Sequence, residues 1–250
     1  MTYKFDSQFI GYPPIEAVAP VPASPPFGLP ISAGFLVRAE DPVWGPGEFV
    51  FARAGAGIKL YAGCTYLPVW DATNKVYTYN MTEWPITNDL GRPLYVYQGN
   101  AALTTGQYGW FLTTGRTPIT GTGASIAADA KFSRGAAGVA VALAANTEVM
   151  GARVITPATN TVASFGRGTI GDNVIYLDNT SGFFVGGYVG GTGVGTAAIV
   201  SSVNPLGKYI TVTVVNSAAI AGTVTQTANN ATIFYNVIEA NRMNAQGIIA

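Results

Sequence analysis

Histidine is absent from this chain. That removes the commonest general base, the commonest protein metal ligand and the usual switch near neutral pH. A Ser-His-Asp triad is excluded for the same reason. Cysteine is almost absent too: Cys64 stands alone, so neither an intrachain disulfide nor a cysteine cluster for a metal is possible. Charge is scarce, with 10% of the 250 residues charged, against a usual ~25%. Lys plus Arg and Asp plus Glu both number 13, so the net charge is zero. Nucleic-acid binders carry a basic surplus, because phosphate neutralisation drives their affinity. No such surplus exists here, and no direct nucleic-acid partner is expected. Long apolar runs are lacking as well. Stretches such as GAAGVAVALAA (Gly135–Ala145) fall well short of the ~20 residues that span a bilayer, so no membrane partner is expected. The N-terminal MTYKFDSQFI has no basic region followed by an apolar one. The chain is therefore expected to be made in a cytoplasm and not exported by a standard route. No cofactor is expected. A free protein with so little charge risks association, which favours a surface largely covered by partners.

What is present divides the chain into three regions. Residues 1–33 read as an extended arm, because Pro13, Pro14, Pro20, Pro22, Pro25, Pro26 and Pro30 all lie there. Proline fixes φ and donates no hydrogen bond, so the stretch is polyproline-like and not helix or interior strand. Phe5, Phe9, Ile10, Tyr12, Ile15 and Phe27 are spread along it. A solvated tail is one reading. An arm lying along a neighbouring subunit is the other, and it gives these six apolar residues a role as partner contacts.

Residues 34–166 read as a β-domain. GEFVFARA (Gly47–Ala54), GIKLYAG (Gly57–Gly63), KVYTYNM (Lys75–Met81), PLYVYQG (Pro93–Gly99), YGWFLTT (Tyr108–Thr114), GVAVALA (Gly138–Ala144) and GARVIT (Gly151–Thr156) are short, β-branched or aromatic, and bounded by turn residues. Residues 167–250 read as a second β-module, rich in Gly and Thr. NVIYLDN (Asn173–Asn179), AAIVSSVN (Ala197–Asn204), KYITVTVV (Lys208–Val215), GTVTQT (Gly222–Thr227) and TIFYNVI (Thr232–Ile238) are its main strands, with GRGTIG (Gly166–Gly171) at the boundary. In ITVTVV, Ile210, Val212 and Val214 alternate with Thr211 and Thr213, which predicts one buried and one polar face. No helix-length window keeps a 3.6-residue apolar period, although short helices fit near Ser125–Ala130 and Glu239–Gln246. The expected class is all-β, with two sandwich- or barrel-like domains behind the arm.

Motifs that suggest chemistry are weak. GRGTIG fits G-x-G-x-x-G by letter, but a dinucleotide loop must open a helix, and a β-branched strand follows here. Paired carboxylates remain possible among Glu40, Asp41, Glu48, Asp71, Glu83 and Asp89. Cys64 has no nearby base and reads as a small buried hydrophobe. Asn80-Met-Thr82 spells a glycosylation sequon without an export signal to give it meaning. Trp44, Trp70, Trp84 and Trp110 lie in the first domain with many tyrosines. They read either as core or as an aromatic platform for sugar or protein. GQYGWFLTTG (Gly106–Gly115) reads as a corner and return strand, with Trp110 and Leu112 on one side and Phe111 and Thr113 on the other, and not as a pocket.

GRPLYVYQGNAALTTGQYGWFLTTG (Gly91–Gly115), followed by GAAGVAVALAANTEVMGARVI (Gly135–Ile155), resembles the capsid decoration, or cement, proteins of tailed bacteriophages. In those β-domains a G-x-YGW strand turns back before a stretch like AGVAVALAA. The resemblance covers residues 45–156 and includes no catalytic signature. It implies a structural virion protein on the outer surface of the phage head, assembled in the host cytoplasm, with the major capsid protein and further copies of itself as partners. Three-fold lattice points of a shell suit a homotrimer. It implies no enzyme activity. A tail or head-fibre module that binds host glycan is the alternative.

Overall fold

The computed structural model describes residues 4–5, 33–41, 44–72, 75–84, 91–121, 126–157, 161–227 and 234–245. They are almost wholly β-structure, as expected. The first part supplies β1 (Lys4–Phe5), β2 (Leu36–Asp41), β3 (Gly45–Ala54), β4 (Gly63–Asp71), β5 (Val76–Glu83), β6 (Leu94–Tyr97), β7 (Tyr108–Gly121), β8 (Phe132–Arg134), β9 (Ala140–Ala142) and β10 (Val149–Thr156). Then come β11 (Thr161–Gly168), β12 (Val174–Leu177), β13 (Tyr188–Gly190), β14 (Ala198–Asn204), β15 (Tyr209–Val212), β16 (Ile220–Thr227) and β17 (Phe234–Ala245). β1 to β10 and β17 form one 11-stranded sheet, and β11-β12-β15-β14-β13-β16 close into a barrel.

Within the large sheet, β3, β5, β4, β6 and β7 pair in turn, and β7 pairs back to β3, so these five strands close a ring. Alternation then sorts their side chains. Val50, Ala52, Cys64, Met81, Tyr97 and Phe111 gather in one buried cluster. Phe49, Phe51, Leu94, Val96, Trp110 and Leu112 face the other way, into the main core. β7 is thus buried on both sides, which is why GQYGWFLTTG carries no charge. Gly106 turns the chain into this strand at φ +88°. Gly115 sits where β7 leaves β3 and continues beside β17. Its φ is +126°, and Pro46 O lies 2.9 Å from where a Cβ would stand, so a side chain is excluded there.

The C-terminal strand departs from the sequence reading. The 167–250 module was expected to hold it, together with a helix near Glu239–Gln246. Instead β17 runs as a strand between β7 and β10. Glu239 stands opposite Arg116 on β7 and Arg153 on β10. It bridges both, at 3.3 Å and 3.0 Å. These cross-strand pairs, with the buried Val237, Ile238 and Ala240, outweigh the helix-forming residues of the segment. The barrel is consequently an insertion between β10 and β17, and its first strand begins at Thr161 and not at 167. Ile126–Ala130 is turn and irregular chain, not helix. Of the expected strand Gly57–Gly63 only Gly63 is strand, opening β4: Ile58 makes a single bridge to Leu103, and Tyr61 takes a positive φ.

The barrel interior is filled by Ile175, Leu177, Phe183, Val200, Val203, Ile210, Val212 and Val224, among others. Ile210 and Val212 obey the expected alternation, whereas Val214 is exposed because β15 ends at Val212.

Phe184 joins the barrel to the large sheet. The buried Gln226 amide holds its backbone at both ends: the Phe184 N–H donates to Oε1 at 3.1 Å, and Nε2 donates to the Phe184 carbonyl at 3.0 Å. The ring then lies against Trp44, Tyr61 and Tyr235, at centroid distances of 6.1, 6.2 and 5.6 Å. Truncating a buried Phe costs about 3–5 kcal/mol. Phe184→Ala is therefore expected to split thermal unfolding into two transitions in scanning calorimetry. A single transition at the parent temperature would contradict this coupling.

Candidate functional site

β3 changes partner along one edge. Leu36–Asp41 pair with Val50–Gly45, and three positions further on Arg53 and Ala54 pair with Asn80 and Met81 of β5. At the fork, Gly34 N–H donates to the Phe51 carbonyl and Phe51 N–H donates to the Phe35 carbonyl. A cavity of about 610 Å³ opens there. Val50, Ala52, Met81, Tyr66 and Tyr95 line it, and Tyr108 borders it with its ring stacked on Phe51 at 5.6 Å. Arg53, Asn80 and Thr113 add polar groups, while Ala33, Gly34 and Leu36 bring in the start of β2. The volume falls within the range of about 300–1,000 Å³ typical of ligand pockets. Burial, and next the neighbouring Tyr66, push the Tyr95 phenol above its ordinary range. Asn80 Oδ1 is buried and accepts no hydrogen bond, which is costly unless something donates to it.

A second groove, of about 960 Å³, is lined by Trp44, Thr114, Arg116, Lys131, Arg153 and Glu239, among others. Its charges are mutually satisfied: Arg116 and Arg153 hold Glu239, Arg153 also reaches Asp129 at 3.3 Å, and Lys131 pairs with Glu148 at 2.8 Å. The hydrogen bond from Arg153, followed by that from Arg116, draws the Glu239 carboxyl below its ordinary range. A depressed carboxylate pKa stabilises the fold above the unfolded value near ~4.3 and stops doing so as pH falls through the folded value. Because the side chain is 37% exposed, the pair contributes no more than ~1 kcal/mol. Glu239→Gln is expected to make the acid limb of a stability-against-pH curve slightly shallower below about pH 5. An acid limb identical to the parent's, measured by urea denaturation at several pH values, would contradict it.

The acids weighed from sequence are dispersed. Glu48 is held by Arg38 at 3.0 Å, and Glu83 by Lys59 at 3.5 Å. Glu83 also accepts the Lys59 backbone N–H at 2.7 Å. Each is engaged by a cation and not by a second carboxylate. Glu40 is exposed on β2. Asp41 and Asp71 are placed only as strand residues, and Asp89 lies outside the described residues. Cys64 is fully buried, its thiol donating to the Ala62 carbonyl, and burial, with the Glu83 charge second, pushes its pKa well up. GRGTIG closes β11 and leads into β12 through a turn, with no helix to receive a phosphate.

Phe5 is placed by its backbone opposite Ala39 of β2, which makes β1 the outermost strand beside it. Phe9, Ile10, Tyr12, Ile15 and Phe27 lie outside the described residues. Of the tryptophans, Trp84 and Trp110 are fully buried core, and Trp70 is half exposed. The aromatic residues on open surface include a strip on the barrel that sequence reading missed. Phe165 and Tyr176 are exposed, the Arg167 guanidinium lies 4.9 Å over the Phe165 ring, and Tyr176 packs on Tyr209 at 5.8 Å. Period-two alternation could have flagged Phe165 and Arg167 as sharing a face, but not their neighbours on other strands. No protein-family model, no curated protein and no solved structure matches this chain.

Proposed function

We propose that this chain is a structural virion protein: a cement protein that binds and stabilises the outer surface of a tailed-phage head and performs no chemistry. The observation that carries this reading is where the described residues on either side of the arm stand. Both flanks meet β2: Phe5 pairs with Ala39, and Ala33 stands in the turn that leads into Leu36. Ala33 and Ala39 are six positions apart, so the two points lie within roughly 20 Å. Residues 6–32 in a polyproline conformation span roughly 85 Å. The spare contour is long enough to reach an adjacent subunit of a shell, carrying Phe9, Ile10, Tyr12 and Ile15 with it. β1 contributes only two ladder positions, a hold weak enough to be exchanged for a neighbour's edge. The major capsid protein and further copies of this chain are the proposed partners. The sparse charge and the wholly β body fit a protein that works by covering surface.

Adding purified protein to heads that lack it tests the reading. Saturable binding with a rise in the temperature at which the heads release DNA is expected; no binding, or binding without added heat resistance, would refute it. The proposed homotrimer is tested separately by sedimentation. A stable monomer at micromolar concentration, both free and released from particles, would contradict it. A glycan-binding role for the barrel is the second reading, favoured by the Phe165–Arg167–Tyr176–Tyr209 strip, since rings beside a guanidinium suit sugar faces and hydroxyls. Binding of host polysaccharide that is lost in Tyr176→Ala would support it.

A further inference from the structure

Resting on the homotrimer reading, we propose that the far end of the barrel is a contact face for a second copy of this chain. β11 enters from the large sheet at Thr161 and β16 returns towards it at Thr227, and these two residues pair. Register sets the opposite end: Gly168 pairs with Ile220, and Val174 with Thr211. The connections 169–173 and 213–219 therefore lie at the end away from the sheet, and 191–197 packs against them. Ile170, Val215 and Val214 are 64%, 53% and 37% exposed there, with Ala197, Ala218 and Ala219 exposed beside them. Apolar side chains gathered in this way mark a contact surface.

The face is held rigid. The buried Asn216 donates its N–H to the Asp172 carbonyl at 2.7 Å and accepts the Gly171 N–H at 2.9 Å. Its Nδ2 donates to the Thr169 carbonyl at 3.1 Å. Ile170 and Val215 thus flank one knot of hydrogen bonds. Ser217 N–H donates to the Gly193 carbonyl at 2.9 Å, and a Cβ on Gly195 would overlap the Val215 carbonyl. Little freedom is left to lose on docking. Chemistry then selects the partner. The three connections contain no lysine, arginine or aromatic residue. Anionic lipid and nucleic acid would find no cation, and a sugar no ring to stack on. Asp172 is the one charged residue in them, and its Oδ1 accepts the Val174 N–H at 3.1 Å. Two copies bring identical charges together, so a face almost free of charge meets itself without like-charge repulsion.

Sedimentation of the full-length chain beside Ile170→Lys and Val215→Lys tests the face, with circular dichroism to confirm that each variant is folded. The parent is expected to assemble, and each variant to need at least about ten-fold more protein for half-assembly, because an unpaired ammonium is costly to bury. Unchanged assembly in both variants would overturn the face and leave the homotrimer standing. A parent that stays monomeric would overturn both. Variants that assemble like the parent but no longer bind heads would overturn it too, giving the face to the capsid. A second measurement uses Val215→Cys, since Cys64 is buried and out of reach. A short bis-maleimide is expected to link copies at this position and not in Tyr176→Cys, on the side of the barrel. No link at 215, or equal linking at 176, would overturn the proposal.

Discussion

Deletion of residues 2–30 is expected to leave both β-units folded and to reduce attachment to the phage head by well over ten-fold. Among the described residues the buried clusters are built from β2 onward, so each unit has a core of its own to fold around. The arm's own contribution is apolar. Phe9, Ile10, Tyr12 and Ile15 would each contribute about 1–3 kcal/mol if buried on a neighbour, and every 1.4 kcal/mol is about ten-fold in affinity. Proline stiffness keeps the conformational cost of docking low, since a polyproline segment has less freedom to lose than a Gly/Ser tail. On the proposed shell, many copies would multiply the effect. Circular dichroism of the truncated protein, beside a count of copies bound to heads lacking it, gives both halves of the answer. A folded truncation that binds at full occupancy would make the arm dispensable.

Trp84→Ala is expected to be the most damaging single truncation in the large sheet. The indole is fully buried, and its Nε1–H donates to the Val139 carbonyl at 3.0 Å. Its backbone N–H donates to Gly63 O at 3.0 Å, and its carbonyl accepts from Gly138 N–H at 2.6 Å. One residue therefore ties the start of β4 to the turn before β9. The fit leaves no room, because a Cβ on Gly63 would overlap the indole ring. Loss of a buried Trp side chain costs about 3–5 kcal/mol, which in a chain of this size lowers Tm by roughly 6–20 °C. Gly63→Val is expected to act in the same direction through overpacking. Thermal denaturation followed by far-UV circular dichroism measures both; Tm values within 2 °C of the parent would contradict the role assigned to this contact.

Local pattern carried much of the fold and little of the site. β3, β5, β6 and β7, and β12, β14, β15 and β16, fall on stretches where β-branched and aromatic residues stand between turn residues. Their strand character is written in neighbours along the chain. β2 and β4 escaped because LVRAED and GCTYLPVWD mix charge, proline and glycine with apolar residues, and long-range pairing decides them. β17 was mistaken at its C-terminal half for the same reason. Glu239, Ala240, Arg242 and Met243 suit a helix in isolation, and only the facing Arg116 and Arg153 make a strand the better arrangement. The cavity at the fork was invisible for a further reason. Tyr66 and Tyr95 come from β4 and β6, and Val50, Ala52 and Met81 from β3 and β5, so four strands must be paired before the residues meet. GQYGWFLTTG shows both sides of this. Its centre is core, as the sequence implies, yet Tyr108 and Thr113 at its margins border the cavity.

Reconstruction of intact virions by electron microscopy tests the central claim most directly. The account predicts density matching the five-stranded ring and the inserted six-stranded barrel at many lattice positions over the outer head surface, with the arm's density running onto a neighbouring subunit. The same density found in only a few copies at the tail, or absent from the virion, would contradict it.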